Sequence, residues 1–393
     1  MKSLDKFAKT KLKALSDRGL KRDILTTERL AEGKTLREGR PLISFCCNDY
    51  LNLSHHPKVK QAAKKAIDRY GAGSGASRLV TGNHPLIRQL EQRLADIKGT
   101  EDACVFGSGY MTNIGIIPVL VGIEDVIFID ELSHACLQAG SQLSGARTLP
   151  FRHNDTDHLH DLIGQFRGQY GKAMIITDGV FSMDGDIAPL DRLSRIAKDS
   201  DCWLMSDDAH GLGVIGTERK GSRHIFSPPP DIPLQMGTLS KAIGSFGGYL
   251  CAGKPVIDLV KTRARSLIYT TALPPASAAA ALAALDIITN DPDYCRRPME
   301  NARTFARLLD LAEPESPIIP VIVGDTKKVM DYAALLEEDG FLITGIRPPT
   351  VAEGTARLRF TFSAQHKEDD IRALATAIKK HGMIHGILAG TLA

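Results

Sequence analysis

Between Asp102 and the 260s the chain alternates two hydrophobic patterns. Short apolar runs recur as DACVF from Asp102, DVIFID from Asp125, AMIITD from Ala173, CWLMSD from Cys202, LQMGT from Leu234 and GYLCAG from Gly248. They show no polar alternation, as expected of strands buried on both faces of a mostly parallel sheet. Helically spaced segments separate them, which predicts an α/β domain with helices on both faces. Residues 57–70 and the segment from Pro85 predict helices, each opening on a proline and closing against Gly71 or Gly99.

After TTALPP (Thr270 to Pro275) the character changes. An Ala-rich helix is predicted from Ser277 to Asn290. Separate strands follow in SPIIPVIVG, GFLITGI and ARLRFTF, then a helix from Lys367. Leu4, Phe7, Leu12 and Leu15 recur at helical spacing and predict an N-terminal helix lying on the body of the protein. The organisation expected is an N-terminal helical segment (1–45), a large α/β domain (46–290) and a smaller C-terminal α+β domain (291–393). The N-terminal helix joins the smaller domain.

Composition narrows the function classes. Of 393 residues, 43% are hydrophobic and 24% charged, which excludes a disordered chain. Lys plus Arg (49) against Asp plus Glu (46) leaves +3, so charge offers no case for nucleic acid as partner. Seven scattered cysteines without a C-x-x-C pair read as reduced thiols. No apolar run reaches the roughly 20 residues of a membrane span. The basic N-terminus lacks the apolar core of a secretory signal. The expected compartment is the cytoplasm, with no membrane partner.

Ligands of an open α/β sheet bind beyond the carboxyl ends of its strands, and polar residues collect there. VFGSGY (Val105 to Tyr110) offers glycines and a helix start, where backbone N–H groups attract phosphate. DELSHAC carries His134, TDGVFSMDGD carries Asp178 and Ser182, SDDAHGLG carries Asp207 and His210, and GTLSKAIGSFGG carries Lys241. Singly, each reads equally well as a plain turn, a satisfied histidine or a solvated lysine. Together they supply what pyridoxal phosphate requires: a lysine for the Schiff base, a carboxylate to keep the ring nitrogen protonated and an anion cradle. A lysine suits this work because it can give up its proton, unlike arginine.

These residues resemble the α-oxoamine synthases among the fold-type I pyridoxal-phosphate enzymes. The resemblance runs through NDYLNLSHHP, GAGSGASRLVTGNHPLIRQLE, FGSGYMTN, DELSHAC, DGVFSMDGDIAPL, DDAHGLGVIG and GTLSKAIGSFGG. It implies a fold-type I transferase in which Lys241 binds the cofactor covalently and Asp207 contacts the pyridine nitrogen. His210 meets the phenolic oxygen and His134 stacks on the ring. Gly109, Tyr110, Ser182 and Thr238 also hold the cofactor, and Thr271 reaches the phosphate of the neighbouring subunit of a homodimer. Arg359 binds the amino-acid carboxylate, with Asn48 nearby. One departure is Asp178, where the family usually has Glu.

Family members condense an amino acid with an acyl thioester and release carbon dioxide. RPPTV (Arg347 to Val351) resembles the branch that joins L-alanine to a pimeloyl thioester in biotin synthesis, the acyl group arriving on coenzyme A or an acyl carrier protein. In that branch Arg22 and Thr350 contact substrate. The alternatives within the family are a glycine C-acetyltransferase and a synthase of signalling amino ketones.

Readings from other classes fare worse. GAGSGASRLVTG follows a predicted helix, whereas the dinucleotide fingerprint follows a strand. His153, Asp155, Asp157, His158 and His160 lack a compact metal-ligand motif, and a solvated helix start capped by Asp explains them. No metal is expected. A non-catalytic subunit that kept the fold would lack the lysine that Lys241 supplies.

Overall fold

Residues 2–383 are described by a computed structural model, in which the apolar runs of the sequence stand as the central strands. Helix α1 (Lys2–Asp17) is present as expected, but it does not lie on the body of the protein. None of its residues is buried, and Leu4, Phe7, Leu12 and Leu15 are all exposed. Periodicity identified the apolar face, and nothing among the described residues covers it. The segment expected to be helical then adds a meander: β1 (Thr27–Arg29), β2 (Lys34–Arg37) and β3 (Arg40–Ser44). Glu38 and Gly39 join β2 to β3, both at positive φ, which matches the twist of a two-residue hairpin.

The chain divides into a large unit, Asn48–Met299, and a small unit built from the described residues on either side of it. The large unit carries a seven-stranded sheet of β4 (Asp102–Phe106), β5 (Val126–Asp130), β6 (Arg147–Phe151), β7 (Ala173–Asp178), β8 (Trp203–Asp207), β9 (Leu234–Thr238) and β10 (Gly248–Ala252). Its order is β4-β10-β9-β8-β7-β5-β6. Only β10 runs against its neighbours, pairing antiparallel with both β4 and β9. The remaining ladders, from β6 through β5, β7 and β8 to β9, are parallel.

Strands β4, β5, β7, β9 and β10 are buried throughout, which is why they read as apolar runs. Ile127, Ile129, Met174 and Ile176 pack on one side and Val126, Phe128, Ala173 and Ile175 on the other, the period of two that a strand imposes. The helices of the unit are α2 (Pro57–Tyr70), α3 (Pro85–Lys98), α4 (Gly109–Leu120), α5 (Ala135–Ser144), α6 (Thr156–Phe166), α7 (Leu190–Asp199), α8 (Lys254–Arg263), α9 (Arg265–Ile268) and the Ala-rich α10 (Pro275–Asn290). Strand β6 (RTLPF) escaped the sequence reading. It lies at the sheet edge, where Pro150 removes no needed donor.

The small unit combines the meander with the last turns of α11 (Pro292–Leu308), β11 (Ile318–Gly324), α12 (Thr326–Glu338), β12 (Phe341–Leu342), β13 (Thr344–Ile346), β14 (Ala356–Thr361) and α13 (Glu368–Lys380). Strand β12 pairs parallel with β3, and β14 lies between β11 and β13. Phe45, Phe305, Phe360 and Phe362 form its aromatic centre, with Phe305 centred 4.9 Å from Phe362.

Candidate active site

The sheet delivers its polar residues to one edge of the large unit. Beyond β9, Lys241 sits in a turn closed by the Gly244 N–H donating to its carbonyl at 2.8 Å. Its Nζ lies 2.6 Å from His210 Nε2, and His210 Nδ1 lies 2.7 Å from the Tyr50 hydroxyl. An ammonium can only donate, so Nε2 accepts from Lys241 and the Nδ1–H donates to Tyr50. Tyr50, fully buried, was not singled out in the sequence, and its hydroxyl lies 3.5 Å from Asn48 Oδ1.

Asp207 closes β8. Its Oδ1 accepts from the Ala209 N–H at 3.0 Å and its Oδ2 from the Asn113 side-chain amide at 2.8 Å. The same amide nitrogen lies 3.1 Å from Cys136 Sγ, which is 2.8 Å from His134 Nδ1. His134 caps α5, its Nδ1 accepting from the Cys136 N–H at 3.2 Å. An accepting Nδ1 leaves the proton of the neutral ring on Nε2. Desolvation lowers the basicity of this ring; the Asp207 charge opposes that fall and Lys241 adds to it.

Asp178 lies beside Asp207 in the β7–β8 register and accepts from the His134 N–H at 3.0 Å. Burial first, and the charge of Asp207 second, push its carboxyl well above the usual range. The shorter side chain at the position of the usual Glu thus orients the turn that carries His134.

The turn after β4 brings in Gly109 and Tyr110. Ser108 caps α4 through its Oγ, which accepts from the Met111 N–H at 3.2 Å. A Cβ on Gly109 would lie 3.2 Å from Met236 Cε and 3.6 Å from Thr238 Oγ1, so the helix start sits tight against the end of β9. Tyr110 presents its ring to solvent. Thr238 Oγ1 donates to the Gly247 carbonyl at 2.8 Å. Ser182 stands in the loop after β7, closed by the Val180–Ile187 bridge. Thr271 pairs with Ser77 in a second isolated bridge.

That loop is pinned by His153. Its Nδ1 lies 3.0 Å from Asp130 Oδ1 and its Nε2 2.7 Å from Asp186 Oδ2. Burial works against the charged ring, but the two carboxylates outweigh it and push its pKa up to about 10. The expectation of a solvated helix start therefore needs correcting at this residue, while Asp155 does cap α6, accepting from the Asp157 and His158 N–H groups. A second buried pair was also missed in the sequence. Lys98 Nζ donates to Asp208 Oδ2 at 2.6 Å and to the Lys220 carbonyl at 2.8 Å.

The remaining residues singled out in the sequence belong to the small unit. Arg22 Nη2 donates to Thr350 Oγ1 at 3.0 Å, and Arg347 Nη2 donates to the Lys21 carbonyl at 2.9 Å. Arg359 is buried in β14.

The donor set of the large unit fits pyridoxal phosphate. A lysine amine stands beside an imidazole, a fixed carboxylate has a second imidazole nearby, and a helix start offers free backbone N–H groups. Fold and site together define a pyridoxal-phosphate enzyme of fold type I. The sequence matches the aminotransferase class I and II family over residues 40–378. The chain is 59% identical over 379 residues to an 8-amino-7-oxononanoate synthase of Beijerinckia indica, covering 96% of this chain and 98% of that one. It superposes with a TM-score of 0.90 on serine palmitoyltransferase from S. paucimobilis bearing a pyridoxal phosphate–myriocin adduct, at 28% identity over 97% of this chain and 99% of that one. An 8-amino-7-oxononanoate synthase from Francisella tularensis matches at 0.75, with 30% identity over 88% of this chain and 98% of that one.

The chain belongs to the aminotransferase class I and II family and, within it, to the 8-amino-7-oxononanoate synthases. It is a pyridoxal-phosphate-dependent acyltransferase of biotin biosynthesis.

Proposed function

We propose that the chain condenses L-alanine with a pimeloyl thioester, releasing carbon dioxide and the free thiol. The observation that carries this substrate pair is the hydrogen bond between Arg22 and Thr350, which joins the two residues expected at the acyl substrate although 328 positions separate them. A carboxylate-ended chain needs such a placed polar group, because methylene burial at about 0.8 kcal/mol each cannot select one chain end over another. Arg359 offers a planar two-pronged donor for the alanine carboxylate, and Asn48 is read as a further substrate-binding residue.

Bound pyridoxal phosphate supplies an electron sink for the carbanion formed at the alanine Cα. Lys241 takes the Cα proton as general base and later returns it. Asp207 would keep the ring nitrogen protonated, His210 would meet the phenolic oxygen, and His134 would stack on the ring. Gly109, Tyr110, Ser182 and Thr238 would hold the rest of the cofactor. Thr271 serves the phosphate across a homodimer, a reading supported by the exposed Leu79, Val80 and Tyr269 in the large unit. Seven cysteines scattered along the sequence without a C-x-x-C pair support a cytoplasmic reading. Among the described residues no helix is long and apolar enough to cross a membrane.

The test compares pimeloyl, octanoyl and acetyl thioesters, each on coenzyme A and on acyl carrier protein, with alanine and with glycine. The expected result is the highest kcat/KM for alanine with pimeloyl, and a loss of that preference in R22A. Preference for acetyl with glycine overturns the assignment in favour of an acetyltransferase.

A further inference from the structure

We propose that Asn113 is a positioning residue that keeps Asp207 anionic and so keeps the proton on the cofactor's ring nitrogen. The inference rests on the role of Asp207 given above. Asn113 lies on α4, wholly buried, and its amide donates to Asp207 Oδ2 at 2.8 Å. The Ala209 N–H anchors Oδ1 at 3.0 Å, so each carboxylate oxygen is held by one donor and retains a further lone pair.

The orientation of the amide is itself informative. Asn113 Oδ1 is buried with no hydrogen-bond partner, a costly arrangement. Turning the amide over would set that oxygen against the Asp207 carboxylate, leaving two acceptors face to face and the charge without its donor. The structure retains the orphaned oxygen and keeps the N–H on Asp207. Cys136, 3.1 Å from the same nitrogen, is a weaker acceptor that shares the amide without competing for the charge.

The chemical consequence follows from which form of Asp207 the amide stabilises. A donor hydrogen bond favours the carboxylate over the acid. Without it, Asp207 gains proton affinity and the shared proton moves from the ring nitrogen to the carboxyl, leaving a neutral ring that accepts electrons less readily. Deleting the amide takes away one of the two donors that hold the Asp207 carboxylate. Asp178, beside it, is itself driven toward the neutral acid by burial and by the Asp207 charge, and it already serves the His134 N–H.

The experiment uses holoenzyme loaded with cofactor labelled with 15N at the ring nitrogen, in wild type, N113A, N113S, D207N and the N113A/D207N pair. The 15N shift of N113A should move toward that of the unprotonated ring. Exchange of the alanine α-proton into D2O should slow by about 10- to 100-fold, the size expected for losing a hydrogen bond to a charged group. N113S keeps a short donor and should recover part of both signals; it also carries the test if N113A does not fold. N113A added to D207N should cost nothing further, because the residue acts through Asp207. A wild-type 15N signal in N113A, or a full additive loss on the D207N background, overturns the proposal. An unaltered 15N signal in D207N itself would instead overturn the role given to Asp207.

Discussion

Replacing His153 with Gln should destabilise the protein in a manner that depends strongly on pH. The imidazolium bridges Asp130 at the end of β5 and Asp186 in the loop that carries Ser182. Its pKa is raised from an ordinary 6.5 to about 10. At about 1.36 kcal/mol per pH unit, that shift sets a ceiling of about 5 kcal/mol. One third of the Asp186 side chain is exposed, so solvent screening reduces the realised value to about 2–3 kcal/mol. A raised histidine pKa stabilises fully below pH 6.5, and the contribution drains away as the pH climbs through 10. Denaturant unfolding of wild type and H153Q at pH 6, 7.5, 9 and 10 measures this directly. The gap between the two should be widest at pH 6 and close towards pH 10. A gap that is the same at every pH would refute the argument, since it would mean that His153 contributes by packing alone. The edge-on contact with Phe181, 4.4 Å between ring centroids, is the source of any such residual.

Three further outcomes follow from the same geometry. K241A should fold and lose turnover, and borohydride should no longer fix the cofactor's colour to the chain; retained turnover would remove Lys241 from its role. D207N should lower kcat by about 10²–10³-fold, the scale of a key electrostatic group, with cofactor affinity changing far less, as a spectroscopic titration would show. K98M leaves the Asp208 carboxylate buried without its counter-charge, and thermal or denaturant unfolding should report a loss of about 3–5 kcal/mol.

The central sheet was legible because burial on both faces leaves its inner strands mostly apolar. The groups at the strand ends were legible for the complementary reason, that polar residues break those runs where they stop. Lys241, Asp207, His134 and His210 all fall at such breaks. Asn113 does not, for it sits inside the apolar spacing of α4, where a single polar residue reads as ordinary variation. Tyr50 and Lys98 were hidden differently. Their partners, His210 and Asp208, lie 160 and 110 positions away, and no local pattern encodes such a meeting. The β1–β3 meander was missed because strands of three to five residues with mixed polarity carry little periodicity. In α1 the spacing revealed an apolar face and could not reveal that none of the described residues covers it.

The small unit draws on both flanks of the large one, and this bears on the order in which the protein can be made. Residues Asn48–Met299 form one uninterrupted stretch, so the ribosome can release a complete large unit while α12 to α13 are still unsynthesised. Strand β3, made early, must wait for β12 before its parallel edge is filled. The waiting strand offers an open backbone edge, the kind that pairs with other chains. Arg22 is likewise translated near the start yet meets Thr350 only 328 residues later. The Arg22–Thr350 contact is therefore among the last to form on a nascent chain, after the strand-end groups of the large unit can already be in place.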